Sequence, residues 1–291
     1  VYGGVIGRRE NRVMAERLNI PARPLRKGEL AEAENVALVD TQPPFRNNRC
    51  PPRRRPLLII DHHPRHADTS ADLVVIDETA GATTTLLAEA LLISGLTVPR
   101  RLATAIVYGI GSETQNLGRE ATARDMAVYQ AFWPKANVKT LWSISYPRRP
   151  ASYFTDLARG IRRAFVSHGV IGTHMGPLTM PERVAQIADF LMTYEKSHWA
   201  MATGRFSGRL QISLRTDDPC GDAGRMLKRI LGRGSRGGGH AMIAGGSVEV
   251  GNDASESEWR EAEEKFSLAF LESHGIKDEA QLSYPFREGS F

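Results

Sequence analysis

The sequence predicts an α/β protein: a parallel-sheet domain followed by a smaller α+β domain, with a cleft between them. Three observations lead there. The runs VALVDT (36–41) and PLLIIDHH (56–63) are short, rich in Val, Ile and Leu, and each leads into an acid. Continuous apolar runs of that length fit strands of a parallel sheet buried on both faces. Helical patterns lie between and after them, and strands alternating with helices imply a doubly wound α/β layer arrangement. Past residue 145 the pattern changes to strands of period two mixed with amphipathic helices.

In chain order, GATTTLLAEALLISG (81–95) places Leu86, Leu87, Ala90 and Leu91 on one helical face, with Gly95 as its C-terminal cap. Pro99 opens the next helix at its first turn; it runs through LATAIVYGI and stops near GSET. REATARDMAVYQAFW (119–133) is a third helix. SISYPRRPAS (143–152), with two prolines and two arginines, starts the connection between domains. AFVSHGVIGTHMG (164–176) reads as a strand, and 181–197 as a helix with Pro181 at its first position. RLQISLRTDD (209–218) alternates Leu210, Ile212 and Leu214, the period of a strand with one buried face. Residues 222–232 form a short helix, followed by a glycine-rich loop and AMIAGGSVEV. The long amphipathic helix 255–275 opens on Ser255 and Glu258 at capping-box spacing. No internal repeat is visible. The expected division is 1–145, a connecting helix or linker over 146–163, a second domain over 164–275, and an irregular tail over 276–291.

A length of 291 residues suits two domains, and 41% hydrophobic with 24% charged residues is globular and not disordered. The two cysteines, Cys50 and Cys220, lie far apart and suggest neither a disulfide framework nor a Cys-rich zinc site; a reducing, cytoplasmic setting is expected. No apolar run approaches the ~20 residues of a membrane span, and no signal peptide is visible at the start. The formal charge of +5 and pI near 9.4 suit an anionic partner such as a nucleotide or short nucleic acid. RCPPRRRP (49–56) reads as an exposed, stiff, charged loop.

Ligands of open parallel sheets bind beyond the carboxyl ends of the strands. Asp40 and Asp61-His62-His63 occupy two such ends, and GIGSET (109–114) offers Glu113 after a helix. Carboxylate oxygen with imidazole nitrogen suits manganese, iron or zinc. Two such ions a few Å apart would clamp a phosphoryl centre and make hydroxide at neutral pH. Singly, each piece has a plainer reading: an acid at a strand end caps the next helix, a histidine pair is structural, and Glu113 is a solvated surface acid.

Taken together, these motifs resemble the DHH phosphoesterases, the family related to the exonuclease RecJ and to the nano-RNA degrading and phosphoadenosine phosphate phosphatase enzymes. Asp61-His62-His63 stands at the eponymous motif, VDT at Asp40 matches the preceding one, and GIGSET matches a later one with Glu113 in place of Asp. ISLR (212–215) and RGGGHAMIAGG (236–246) resemble the DHH-associated domain. The resemblance implies two manganese ions, with Asp40 bridging them, His62 as a ligand, and Glu113 in a ligand position on a side chain one methylene longer. His63 would face the substrate phosphate or leaving oxygen as stabiliser or acid, and Asp61 would orient an imidazole. In the second domain the Gly237-Gly238-Gly239 loop would bring backbone N–H groups to an anion, His240 and Arg215 would hold a phosphate or sugar, and Arg236 and Arg119 would add charge. Against this, the glycines also read as a flexible turn and Arg119 as half of a surface ion pair.

The resemblance departs from the family at the start. Family members open with a strand leading to H-x-x-x-D-x-D, which has no match before Asp40; VYGGVIGRREN resembles the family's second strand and the loop after it. With Val1 first, the expectation is a truncated gene model or a shortened protein, with about half of a two-metal site left. Three functions follow. The first is a manganese-dependent phosphoesterase acting on short single-stranded RNA or DNA or on a nucleotide phosphate. The second is a nucleotide-binding or regulatory protein impaired in catalysis, and the third a fragment that folds poorly. A second copy of the chain is a candidate partner; a membrane is not.

Overall fold

The computed structural model describes residues 1–3, 6–43, 45, 48–51, 53–232, 236–239 and 241–287. It divides into two compact units, Val1–Arg148 and Arg149–Phe291. Among the described residues, no helix is long and apolar enough to cross a membrane.

The first unit runs α1 (Arg9–Arg17), α2 (Glu29–Glu32), β1 (Ala37–Val39), β2 (Leu58–Asp61), β3 (Leu73–Ile76), α3 (Thr83–Ser94), α4 (Arg100–Glu113), α5 (Ala123–Phe132), a 3₁₀ turn and α6 (Val138–Ser145). The strands form a parallel sheet in the order β1-β2-β3. Asp40 and Asp61 stand at the carboxyl ends of neighbouring strands because Val39 pairs with Ile60. On one face Leu38 and Ile59 are buried with Val36, Cys50 and Ala71. On the other, Val39, Leu73 and Val75 stay exposed, so burial of these strands on both faces is not what the fold shows. The helices instead bury their apolar faces on one another, around Ala103, Ile106, Ile110, Val128 and Phe132. Gly95 ends α3 in the left-handed conformation, as its position predicts. Pro99 is the cap of α4 and not its first residue, and α5 begins only at the Thr122–Asp125 capping box.

The second unit runs α7 (Ala151–Arg162), β4 (Phe165–Ser167), β5 (Val170–Pro177), α8 (Arg183–Leu191), β6 (Trp199–Phe206), β7 (Arg209–Thr216), α9 (Ala223–Leu231), β8 (Arg236–Gly239), β9 (Ile243–Glu249), α10 (Glu256–Glu272) and a 3₁₀ turn. Its six-stranded sheet has the order β4-β5-β6-β7-β9-β8, antiparallel except between β5 and β6. β6 alternates between two cores: Trp199 and Met201 meet α9 and α10, while Ala200 and Ala202 meet α8. Ser255 and Glu258 close the expected capping box on α10.

Three expectations change here. Residues 164–176 are a hairpin and not one strand: His168 and Gly169 both take positive φ, 40° and 79°, the requirement of a tight two-residue turn. β7 is buried on both faces over its second half, because Ser213 and Arg215, opposite Leu210, Ile212 and Leu214, are about as enclosed as they are. Gly237-Gly238-Gly239 is no open loop but most of strand β8, laddered onto β9. A Cβ on Gly239 would lie 2.1 Å from the Ile243 carbonyl oxygen and 2.5 Å from the Ala244 Cα. That obstacle is backbone and cannot rotate away. Gly239→Ala should therefore destabilise the second unit by about 2 kcal/mol, read by urea denaturation; an unchanged midpoint would mean that β8 is not paired as described.

Candidate metal centre

Asp61 closes β2 with its side chain fully buried. Four donors converge on it. Gln42 Nε2 donates to Oδ2 at 2.8 Å, and Oδ1 accepts the backbone N–H groups of His62 (2.8 Å) and His63 (3.2 Å) and His63 Nδ1 (2.7 Å). The carboxylate thus caps the chain as it turns out of the strand and fixes one imidazole. Burial pushes the Asp61 carboxyl up, but the hydrogen bonds from His63 and Gln42 outweigh it and leave it below the usual carboxylate value. The hydrogen bond to Asp61 raises the His63 imidazole against the opposing effect of burial, and the charges of Asp61, Asp40 and Glu113 add to the rise.

His62 is held differently. Its Nδ1 lies 3.2 Å from the Ala80 carbonyl oxygen. A carbonyl only accepts, so Nδ1 carries the proton and Nε2 of the neutral ring is a lone pair. Nε2 is buried, has no hydrogen-bond partner among the described residues, and lies 3.7 Å from Asp40 Oδ1. An imidazole whose outer nitrogen is fixed by a carbonyl while the inner one stays free is the arrangement metal-bound histidines use. Asp40 follows β1 with φ 63°, a conformation Asp tolerates. Its N–H extends the ladder to Ile60 O at 2.9 Å, and Thr83 Oγ1 at the start of α3 donates to Oδ1 at 2.7 Å.

One ligand atom each from Asp40, His62 and His63 lies within 4.8 Å of the others. The two imidazole rings stand 4.5 Å apart at 65°. A buried orphan nitrogen beside an anchored carboxylate and a second imidazole fits a divalent ion of mixed O/N preference. Glu113 is the last residue of α4, exposed, and outside this trio, although its charge reaches His63.

Residues that sequence reasoning missed hold the trio in place. Gln42 is fully buried; its amide nitrogen also reaches His63 O and Pro64 O, and its oxygen accepts from His66 N and Thr69 Oγ1. Asp125 is buried at the start of α5 and takes Gly81 N–H (2.9 Å), Thr85 Oγ1 and the Thr122 N–H and hydroxyl (2.7 Å each). It thereby pins the residue next to Ala80, whose carbonyl sets the His62 tautomer. Burial raises the Asp125 carboxyl, yet these hydrogen bonds together win and lower it. Asp125→Ala should cost about 3 kcal/mol or more, a lost cap plus buried donors left unmatched. Because the folded carboxyl is lowered, its contribution is complete above the ordinary carboxylate value of about 3.9 and fades as pH falls through the folded value. Denaturation of Asp125→Ala and of the parent across pH 2–6 should converge at the acid end; parallel curves would refute this role.

Arg215 and the three glycines are placed differently from expectation. Arg215 is 4% exposed, with Nε on Asp189 Oδ1 at 2.5 Å and Nη1 on Ser213 Oγ and Leu214 O. Its fork is therefore committed to α8 and the strand. Arg236 supplies backbone to β8, where the three glycines pair with β9. His240 lies outside the described residues. Arg119 follows the left-handed residues Gln115, Asn116 and Leu117 after α4, its N–H bonded to Thr114 O at 2.9 Å.

No family model matches the chain. A protein of Methanocaldococcus jannaschii, itself uncharacterized, is 28% identical over 286 residues, which is 96% of this chain and 58% of that relative. The chain thus spans little more than half the length of the curated relative it matches. Among solved structures, an exopolyphosphatase-related protein from Bacteroides fragilis superposes with a TM-score of 0.65 at 14% identity, over 83% of this chain and 74% of that one. The chain shares that fold. A pGpG-specific phosphodiesterase from Vibrio cholerae covers 89% of this chain and 94% of its own at a TM-score of 0.42 and 11% identity.

Proposed function

We propose that the chain is a manganese-dependent phosphoesterase that hydrolyses short oligonucleotides or small nucleotide phosphates. The observation that carries this reading is the buried, unpartnered His62 Nε2 facing Asp40 beside His63. Asp40, His62 and His63 would hold the ion, which when bound supplies Lewis acidity toward phosphoryl oxygen and a low-pKa water. Asp61 keeps the His63 ring in one orientation through Nδ1. Glu113 adds negative charge beside the trio. The resemblance to DHH phosphoesterases agrees with this chemistry, as does the net charge of +5 for an anionic substrate. The two free thiols suit a cytoplasmic setting.

The test is release of mononucleotide from a short RNA, or of phosphate from a nucleotide monophosphate or diphosphate. It is run with and without Mn²⁺, with Mn²⁺ affinity measured by calorimetry on the same preparation. Metal binding with metal-dependent release supports the reading. A second reading has one specific observation behind it: among the described residues the trio groups three ligand atoms, enough to anchor one ion and not two. Nucleotide binding without turnover at any divalent ion would favour that binding or regulatory protein over the hydrolase.

A further inference from the structure

Residues 126–155 contain no Asp or Glu and four cations, Lys135, Lys139, Arg148 and Arg149, among several aromatic residues. α6 lies in this stretch and has two contrasting faces. Ile144 is fully buried and Leu141 partly so, both against Val13, Leu18 and Tyr108. Asn137 caps its first turn at 3.1 Å from Thr140 N. The outer face carries Val138 and Trp142, and Tyr146 caps the end of the helix; the three are exposed by 51%, 65% and 68%. The Trp142 and Tyr146 rings sit 5.7 Å apart at 37°. Lys139 and Arg148, also exposed, flank them.

Two large aromatic rings at the end of one helix, left in water with cations on either side and no acid in the stretch, are costly for a surface that binds nothing. A protein partner would meet apolar side chains with apolar side chains, but the charge carried by residues 126–155 themselves is of one sign. Single-stranded nucleic acid matches both features: bases have flat faces for the rings, and phosphates pair with Lys139 and Arg148. We propose that the Trp142–Tyr146 platform binds the bases of a single-stranded oligonucleotide. The inference rests on the phosphoesterase reading, narrows its two substrate classes to the oligonucleotide, and assigns the surface that holds the bases. It also stands apart from that reading in its test, because binding here needs no metal and no turnover.

The experiment titrates the full chain, in EDTA, with an unlabelled hexathymidylate and with an abasic hexamer of the same sugar-phosphate. Tryptophan fluorescence and calorimetry are the readouts. Expected is quenching by the thymidylate that disappears in Trp142→Phe while affinity is kept. The double variant Trp142→Ala/Tyr146→Ala should bind the thymidylate about tenfold more weakly or worse, as loss of base stacking requires. It should bind the abasic hexamer as the parent does. Lys139→Glu should weaken both oligomers and flatten the salt dependence. Because these side chains point to solvent, the variants should melt like the parent. Equal affinity of parent and double variant for the thymidylate would overturn the proposal. So would a double variant whose only change, by light scattering, is loss of a dimer. Binding without turnover in the parent would leave this inference standing and sink the hydrolase reading; turnover without any effect of the double variant would do the reverse.

Discussion

His62→Ala is expected to remove measurable Mn²⁺ binding and to lower metal-dependent phosphoester hydrolysis by well over ~10²-fold, beyond the ~10–100-fold that follows loss of an outer-shell partner. The scale of the effect follows from its position. His62 Nε2 is buried and unpartnered, and the opposite ring nitrogen is tied to Ala80 O, so the ring has no other orientation to offer. Deleting the ring also removes its Nδ1 hydrogen bond to Ala80 O, so a loss of about 1 kcal/mol in stability accompanies it. Loss of metal affinity far larger than the accompanying shift in the melting curve is therefore the signature. Thr83→Ala is the graded control. It takes one hydroxyl from Asp40 Oδ1 and should weaken Mn²⁺ by tenfold or so, within the same outer-shell range. Wild-type Mn²⁺ affinity in His62→Ala would remove Asp40, His62 and His63 as a metal centre.

What could be read from the residues alone divides along physical lines. β1 and β2 were legible because apolar runs that end in an acid have few other structures open to them. The Asp61-His62-His63 cluster was legible for the same reason: three polar groups directly after a buried run must find partners. β3 escaped, though DLVVID has the same form and the strand is as long as β2; Leu73 and Val75 face outward. The glycines of β8 were misread because glycine tolerates both an open loop and close strand pairing; only the Gly239 contact with Ile243 and Ala244 distinguishes them. Arg215 illustrates the same limit for charge. A guanidinium suits a phosphate or a carboxylate equally, and what decides is Asp189, 26 residues away in sequence. Gln42 and Asp125 carry no periodic signal at all. Their importance lies in how many donors and acceptors reach one buried side chain, and that is a property of the folded chain.

Asp61→Asn tests that last point most severely. The substitution keeps shape and volume and changes only hydrogen-bond polarity. In the parent, both oxygens accept: Oδ2 from Gln42, Oδ1 from two backbone N–H groups and His63 Nδ1. Asparagine has one acceptor and one donating NH₂. With its oxygen toward the histidines, its NH₂ faces the NH₂ of Gln42. Gln42 can invert its own amide, but its oxygen already accepts from His66 N and Thr69 Oγ1, while its nitrogen serves the carbonyls of His63 and Pro64. Inversion therefore moves the mismatch one residue along without removing it. Some buried donor must face another donor, at a cost of about 2–3 kcal/mol in denaturation experiments. Mn²⁺ affinity should fall ~10–100-fold as the His63 ring loosens. Combining Asp61→Asn with Gln42→Ala is the decisive measurement. If the conflict lies between these two side chains, the pair should cost less than the sum of the single changes by about 1 kcal/mol or more. Strict additivity would mean that Asp61 acts through charge alone and that the buried amide beside it is a bystander.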